Sequence, residues 1–333
     1  MALPCRSVRS KRLIPTSVIT GFLGSGKTTL ISRILRDPEF GRTAVIVNEF
    51  GEVGLDHQLI ASSDDSVLML NTGCLCCAVQ SELAQTLTEL LERRAAGRAE
   101  FDRVLIETSG LSDPAPMLQV MMTDSRISEA YRVAAVVTLV DTVHGDTTLD
   151  ERPEARNQIA LADLLLFSKA DLQAPTDLLL TKLTMLNQSA PRMITTLADP
   201  SALFGVPGLT ALSERLGRAK PQQGHGETET FTVVRERPLP AVALTLLLEA
   251  VVEHCGSGLL RLKGLVAIEE MPGRPAVIHG VRHVISPPEF LDHWPSGDER
   301  TRIVVIAARV PPHFVSRLLD AIAEEVRDTI AAC

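Results

Sequence analysis

The chain has 333 residues, 45% hydrophobic and 22% charged, which is enough apolar material for two cores at roughly 100–200 residues per domain. A net charge of −8 and an aromatic content of 3% argue against a nucleic-acid partner, which needs a clustered basic surface and stacking platforms. The sequence reads without a run of about 18 apolar residues that would span a membrane, and the basic cluster Arg6, Arg9, Lys11 and Arg12 lacks an apolar secretion core. The expectation is a cytoplasmic protein that binds neither nucleic acid nor membrane.

Residues 1–15 read as a disordered basic tail. From there to about residue 215, short apolar runs alternate with helical patterns. The runs at 17–23, 43–50, 66–70, 103–107, 133–140, 164–167 and 193–197 read as strands covered on both faces. Residues 27–35, 81–96 and 176–187 read as helices, the second with Leu83, Leu87, Leu90 and Leu91 on one face. Such alternation predicts an α/β fold with a doubly wound, mostly parallel sheet over residues 16–215. A polar, glycine-rich stretch at 216–230 reads as a linker. Residues 231–333 then read as a smaller α+β domain with an antiparallel sheet. Its expected strands are 231–237, 260–269, 276–285 and 302–310, with helices at 240–255 and 311–328.

The segment GFLGSGKT at residues 21–28 is a phosphate-binding loop, with Gly21, Gly26, Lys27 and Thr28 in register between a strand and a helix. Glycines at 21, 24 and 26 let the backbone curl so that N–H groups face phosphate oxygens, and the helix N-terminus adds partial positive charge. Gly24, Ser25, Gly26, Lys27, Thr28 and Thr29 are therefore expected around the phosphates. Lys27 serves the β- and γ-phosphates and the Thr28 hydroxyl serves Mg2+. The apolar strand at 103–107 ends in Glu107, placed beside that magnesium. Gly110 follows, where its backbone can approach the γ-phosphate.

The strand at 164–167 exits through Ser168, Lys169 and Asp171. A carboxylate there can accept two hydrogen bonds from guanine N1 and N2, which adenine does not offer, while a lysine stem packs on the base. Ser168 stands where guanine-binding loops carry asparagine, which loosens the expected brace on that loop.

Residues 71–77 read NTGCLCC, so Cys74, Cys76 and Cys77 share one turn after a strand. Thiolates bind Zn2+ or Co2+ in tetrahedral sites, and Gly73 permits the bend that brings Cys74 and Cys76 onto one ion. The spacing is not the Cys-x-x-Cys of a redox motif. The loop after the second strand holds Glu49, Glu52 and Asp56 among glycines, in the position that faces a γ-phosphate and acts as a switch. Its acids could hold metal or position water. Lys27, Glu107 and Asp56 form the expected catalytic set. Cys255, Cys333, His279, His283 and His293 carry no functional expectation. The first two of these histidines would lie on one strand about 13 Å apart, too far to share an ion.

Taken together, these segments resemble the CobW-like GTPases, relatives of the metallochaperones UreG and HypB. The resemblance rests on residues 21–29, 48–56, 73–77, 107–114 and 168–171, and residues 231 to about 323 look like that family's C-terminal domain. It implies GTP hydrolysis coupled to delivery of a metal, zinc or cobalt, to a client protein, with Cys74, Cys76, Cys77 and Glu49 at the metal. A homodimer is one expected assembly. Many members carry a histidine-rich run near the linker, whereas here His225 stands alone. Two other readings compete: a small-molecule kinase built on the same loop, and a non-catalytic adaptor that binds clients in a nucleotide-dependent way.

Overall fold

The computed structural model describes residues 13–48, 67–70, 76–198, 203–204, 228–295, 297–311 and 313–332. The basic tail through Arg12, Glu49, Asp56, Cys74 and most of the stretch expected as a linker lie outside the described residues, as do the side chains of Cys76 and Cys77.

The first layer is a seven-stranded sheet in the order β3-β2-β4-β1-β5-β6-β7. Its strands are β1 (Ile14–Gly21), β2 (Thr43–Asn48), β3 (Val67–Leu70), β4 (Arg103–Glu107), β5 (Tyr131–Asp141), β6 (Leu164–Ser168) and β7 (Arg192–Ile194). Every pairing is parallel. The α/β expectation holds: β6 is buried along its whole length and β4 from its second residue onward. Helices cover both faces: α1 (Lys27–Leu35), α2 (Cys76–Ala95), α3 (Ala115–Thr123), α4 (Ser125–Ser128), α5 (Gly145–Glu151), α6 (Pro153–Leu161) and α7 (Asp177–Leu186). One face buries Leu83, Leu87 and Leu90 of α2 with Leu118 of α3. The other buries Leu30, Ile31 and Ile34 of α1.

Some boundaries differ from the sequence reading. The first strand is Ile14–Gly21, not 17–23, because Gly21 (φ 142°) breaks the extended backbone and opens the loop. Ile14 and Pro15 are therefore strand residues, paired to Tyr131 and Arg132, and not part of a tail. The run at 193–197 is mostly a 3-10 turn, Thr195–Leu197, behind the short β7. Thr176 caps α7 by accepting the Leu179 N–H.

The second sheet is antiparallel: β8 (Thr228–Arg235), β9 (Leu259–Val266), β10 (Ala276–Val281), β11 (Val284–Ile285), β12 (Glu289–Phe290) and β13 (Thr301–Ala308). β8 begins three residues before the expected start at 231, inside the presumed linker. Residues 276–285 form a hairpin, not one strand, so His279 sits on β10 and His283 in the turn. α8 (Ala241–Cys255) and α9 (Phe314–Ala332) cover one face of this sheet. The window Ala241–Gly258 is long and apolar enough to cross a membrane by composition. Leu244, Leu247, Leu248 and Val251 within it belong to this core.

The other face of the second sheet turns toward the first domain, where Leu260, Leu265, Val304 and Ile306 pack with Ala160 of α6. The contact is also ionic. Asp163, between α6 and β6, accepts from Arg261 at 3.3 Å and pairs with Lys263, both on β9, and receives the Val136 N–H at 2.9 Å. Burial would raise the Asp163 carboxyl, but Lys263 and Arg261 outweigh it and hold it at about 2. Burial drives Lys263 down to about 8 despite Asp163. Burial, with Lys263 and Arg261 close by, drives His279 down to about 3.

Candidate functional site

Because β3, β2, β4 and β1 are neighbours and parallel, their C-terminal ends share one edge of the sheet. The register aligns Ile19 with Glu107, Glu107 with Val47, and Val47 with Met69. The chain thus leaves β1 into the phosphate loop, β2 toward Glu49 and β3 toward the cysteine run, all from that edge. At about 4.8 Å per strand, the exits of β3 and β1 are about 14 Å apart.

The phosphate loop is built by backbone. Gly21, Gly24 and Gly26 have φ of 142°, 72° and 90°, values that favour glycine. A Cβ on Gly21 would lie 2.7 Å from the Leu139 carbonyl, so glycine is also required sterically. Gly26 forms the N-cap of α1 and leaves that helix's first N–H groups facing the loop. The Ser25 hydroxyl is buried and has no hydrogen-bond partner among the described residues. Lys27 lies across the loop, donating to Gly21 O at 2.9 Å and Phe22 O at 3.4 Å. Thr28 Oγ1 donates to Glu107 Oε1 at 3.0 Å, and Thr29 is exposed one residue on. An alcohol and a carboxylate side by side at this loop form the oxygen-donor set that suits Mg2+. Gly110 packs directly on the loop: a Cβ there would meet Leu23 N at 2.6 Å.

At the next strand exits, Ser168 is buried and its carbonyl accepts both the N–H and the hydroxyl of Thr142, at 3.1 and 2.9 Å. Its Oγ donates to Val140 O at 3.4 Å. Lys169 (φ 57°) donates to Asp141 Oδ2 at 2.6 Å. Burial raises the Asp141 carboxyl, but the Lys169 ion pair and the N–H groups of Val143 and His144 carry it below the usual carboxylate range. Asp171 is exposed two residues further. A cavity of about 270 Å³ adjoins the loop, lined among others by Phe22, Leu23, Asp141, His144, Gln158 and Lys169. A larger hollow, about 660 Å³, lies in the second domain, where Arg235 pairs with Asp320 and Arg327 with Glu269.

The structure therefore brings together Gly21, Gly24, Ser25, Gly26, Lys27, Thr28, Thr29, Glu107 and Gly110, with Ser168 and Lys169 at the neighbouring strand ends. Glu49, Asp56 and Cys74 lie outside the described residues, and Cys76 and Cys77 open α2. Asp141 was not anticipated, although it ends an apolar strand just as Glu107 does. Gln158 was not anticipated either, and a lone glutamine inside a helix gives no sequence signal.

A strand–loop–helix phosphate cradle at the edge of a parallel sheet, with a strand-end carboxylate on its threonine, defines a P-loop nucleotide-binding protein. Residues 15–194 match the sequence model for the CobW/HypB/UreG nucleotide-binding domain, and residues 228–323 match that for the cobalamin synthesis protein cobW C-terminal domain. The chain belongs to the CobW/HypB/UreG family. It is 32% identical to the zinc chaperone YjiA of Escherichia coli, over 90% of this chain and 95% of that protein. It is also 32% identical to the zinc chaperone CobW of Pseudomonas aeruginosa, over 92% and 90% of the respective chains. The crystal structure of Zn(II)-bound YjiA GTPase from E. coli shares the fold, with a TM-score of 0.70 at 24% identity, covering 93% of this chain and 99% of that one.

Proposed function

We propose that this protein is a GTP-hydrolysing metallochaperone that holds zinc through Cys74, Cys76, Cys77 and Glu49 and passes it to a client protein. The observation that carries the reading is the shared sheet edge. The phosphate loop, Glu107, the exit toward Glu49 and the exit toward the cysteines follow four adjacent parallel strands. A loop spanning that edge can touch a γ-phosphate at one end and a metal at the other. Relatives spanning nearly the whole chain are named zinc chaperones, which favours zinc over cobalt as the cargo.

In this reading the triphosphate takes over the Lys27 ammonium from the loop carbonyls of Gly21 and Phe22. Thr28 and Glu107 would hold Mg2+, which neutralises charge on the phosphate oxygens. The Gly110 backbone lies against the loop, and the Asp171 carboxylate reads the guanine edge. Loss of the γ-phosphate relaxes the Glu49–Asp56 segment and frees the zinc. Thiolates must be deprotonated to bind, so zinc affinity falls with pH.

The test is a zinc competition titration against GDP and against a non-hydrolysable GTP analogue, repeated on Cys76→Ser. An affinity difference of about tenfold or more between the two nucleotides, lost in the variant, supports the coupling. Equal affinities would refute it, because a ligand with no differential affinity shifts nothing.

A further inference from the structure

The loop that follows the strand-end Glu107 is gripped from two sides. Gln158, buried on α6, donates from Nε2 to Gly110 O at 3.2 Å and to Ser112 O at 3.0 Å. The Gln158 backbone carbonyl in turn accepts the Thr138 hydroxyl at 2.9 Å, which ties α6 to β5 beside the phosphate loop. On the far side of the same loop, Asp113 Oδ2 accepts from Arg282 Nη2 at 2.6 Å. Arg282 belongs to the second domain, in the tight turn between β10 and β11. Next to it, Gln119 of α3 donates to Val281 O at 3.5 Å.

Two details argue that the Arg282 contact is more than a surface ion pair. Arg282 has a φ of 53°, a left-handed conformation that hairpin turns normally give to glycine or asparagine. A bulky residue in that conformation carries backbone strain that its contacts must offset. Both partners are also mostly covered, each with 28% of its side chain exposed. Asp113 spends its other oxygen on the Ala115 N–H at the start of α3, so its carboxylate is fixed in direction.

Gly110, held by Gln158, is pressed so close to Leu23 of the phosphate loop that no Cβ fits. We propose that Gln158 and Arg282 are positioning residues for hydrolysis: they clamp the 108–113 loop against the phosphate loop so that the Gly110 backbone is set where the γ-phosphate will lie. The second domain is thereby part of the hydrolytic apparatus. This rests on the nucleotide reading above and adds to it that the fold's two halves act on one loop. It also gives the second domain a way to register nucleotide state, because any shift of Gly110 pulls on Asp113 and so on the β10–β11 turn.

The experiment measures single-turnover and steady-state GTP hydrolysis by the full chain. The variants are Gln158→Ala, Arg282→Ala and Arg282→Lys, with Arg274→Ala as a control that removes an exposed ion pair to Asp292 in the same domain. Positioning predicts a kcat lower by roughly tenfold in both alanine variants with KM within about twofold. It also predicts recovery in Arg282→Lys and no change in the control. A lower Tm with unchanged kcat, or a rise in KM alone, overturns the proposal. Hydrogen exchange of residues 280–285 in the wild-type chain gives a readout that needs no variant to fold. Slower exchange with the non-hydrolysable GTP analogue than with GDP supports the clamp, and identical exchange under saturating nucleotide overturns it. Wild-type protein that binds no guanine nucleotide would instead sink the functional reading, and the unchanged exchange would remove the clamp with it.

Discussion

The molecule contains two charged centres built on opposite principles. The phosphate loop is made of backbone: three glycines at positive φ turn N–H groups toward one point, and Lys27 lies across them. The contact between the domains is made of side chains, with Asp163 sealed between Arg261 and Lys263 beside His279. At the first centre the Lys27 ammonium rests on the loop carbonyls of Gly21 and Phe22. The second carries its own anion, Asp163, set between two cations. At the second centre the counter-charges are built into the fold, as burial of a carboxylate requires.

If that contrast is right, removing charge should do different things at the two centres. The largest effect is expected at Asp163. Asp163→Asn leaves Arg261 and Lys263 buried without their counter-charge, and breaking a buried pair costs about 3–5 kcal/mol. Chemical denaturation should show that loss, with the second domain melting at lower denaturant. A loss under about 1 kcal/mol would mean that the contact relaxes and admits water. At Lys27 the cost should fall on binding. Lys27→Ala removes a charge-assisted contact worth about 2–3 kcal/mol, or roughly 30- to 150-fold in nucleotide Kd. The nucleotide-free Tm should stay near the wild-type value. A large drop in that Tm would show that the ammonium braces the nucleotide-free loop as Asp163 braces the domain contact.

The same contrast explains what could be read from the sequence. The phosphate loop is contiguous, so its chemistry is written in eight residues, and Glu107 is recognisable because an apolar strand ends in an acid. The turn at residues 168–171 stood out through Lys169 and Asp171, but its brace did not. Asp141 serves Lys169 from 28 residues away, and Thr142 supplies hydrogen bonds to the Ser168 backbone. A parallel, doubly wound sheet followed from strand–helix alternation, but the insertion of β4 between β1 and β2 did not, because local periodicity carries no information on strand order. α3, α4, α5 and α6 were missed because each is short, nine residues at most, and α6 holds Gln158. The domain contact was invisible for a simple reason: Asp163 and Arg261 are 98 residues apart, and on its own each is an ordinary charged residue. The cysteine run was plain as a motif because its three thiols lie within four residues.

A further predicted effect concerns acid. The half-buried His279 imidazole is pushed down from 6.5 to about 3, because loss of water and the cations Lys263, Arg261 and Arg132 around it disfavour its charged form more than Asp163 favours it. The unfolded chain therefore binds more protons than the folded one between pH 6.5 and 3, and stability falls as pH falls through that window. One such group contributes a slope of at most about 1.4 kcal/mol per pH unit. Asp163 adds a second loss lower down, between 3.8 and about 2, where its folded carboxylate finally takes a proton. Lys263, held near 8, is charged in both states throughout this acid range and contributes nothing to it. Urea midpoints taken from pH 7 to pH 4 should therefore decline in the wild type and decline less steeply in His279→Gln, the two curves meeting near pH 7 if glutamine packs as well. Parallel curves would mean that His279 accepts its proton without cost, which would require the domain contact to be wetter than its ion pairs imply.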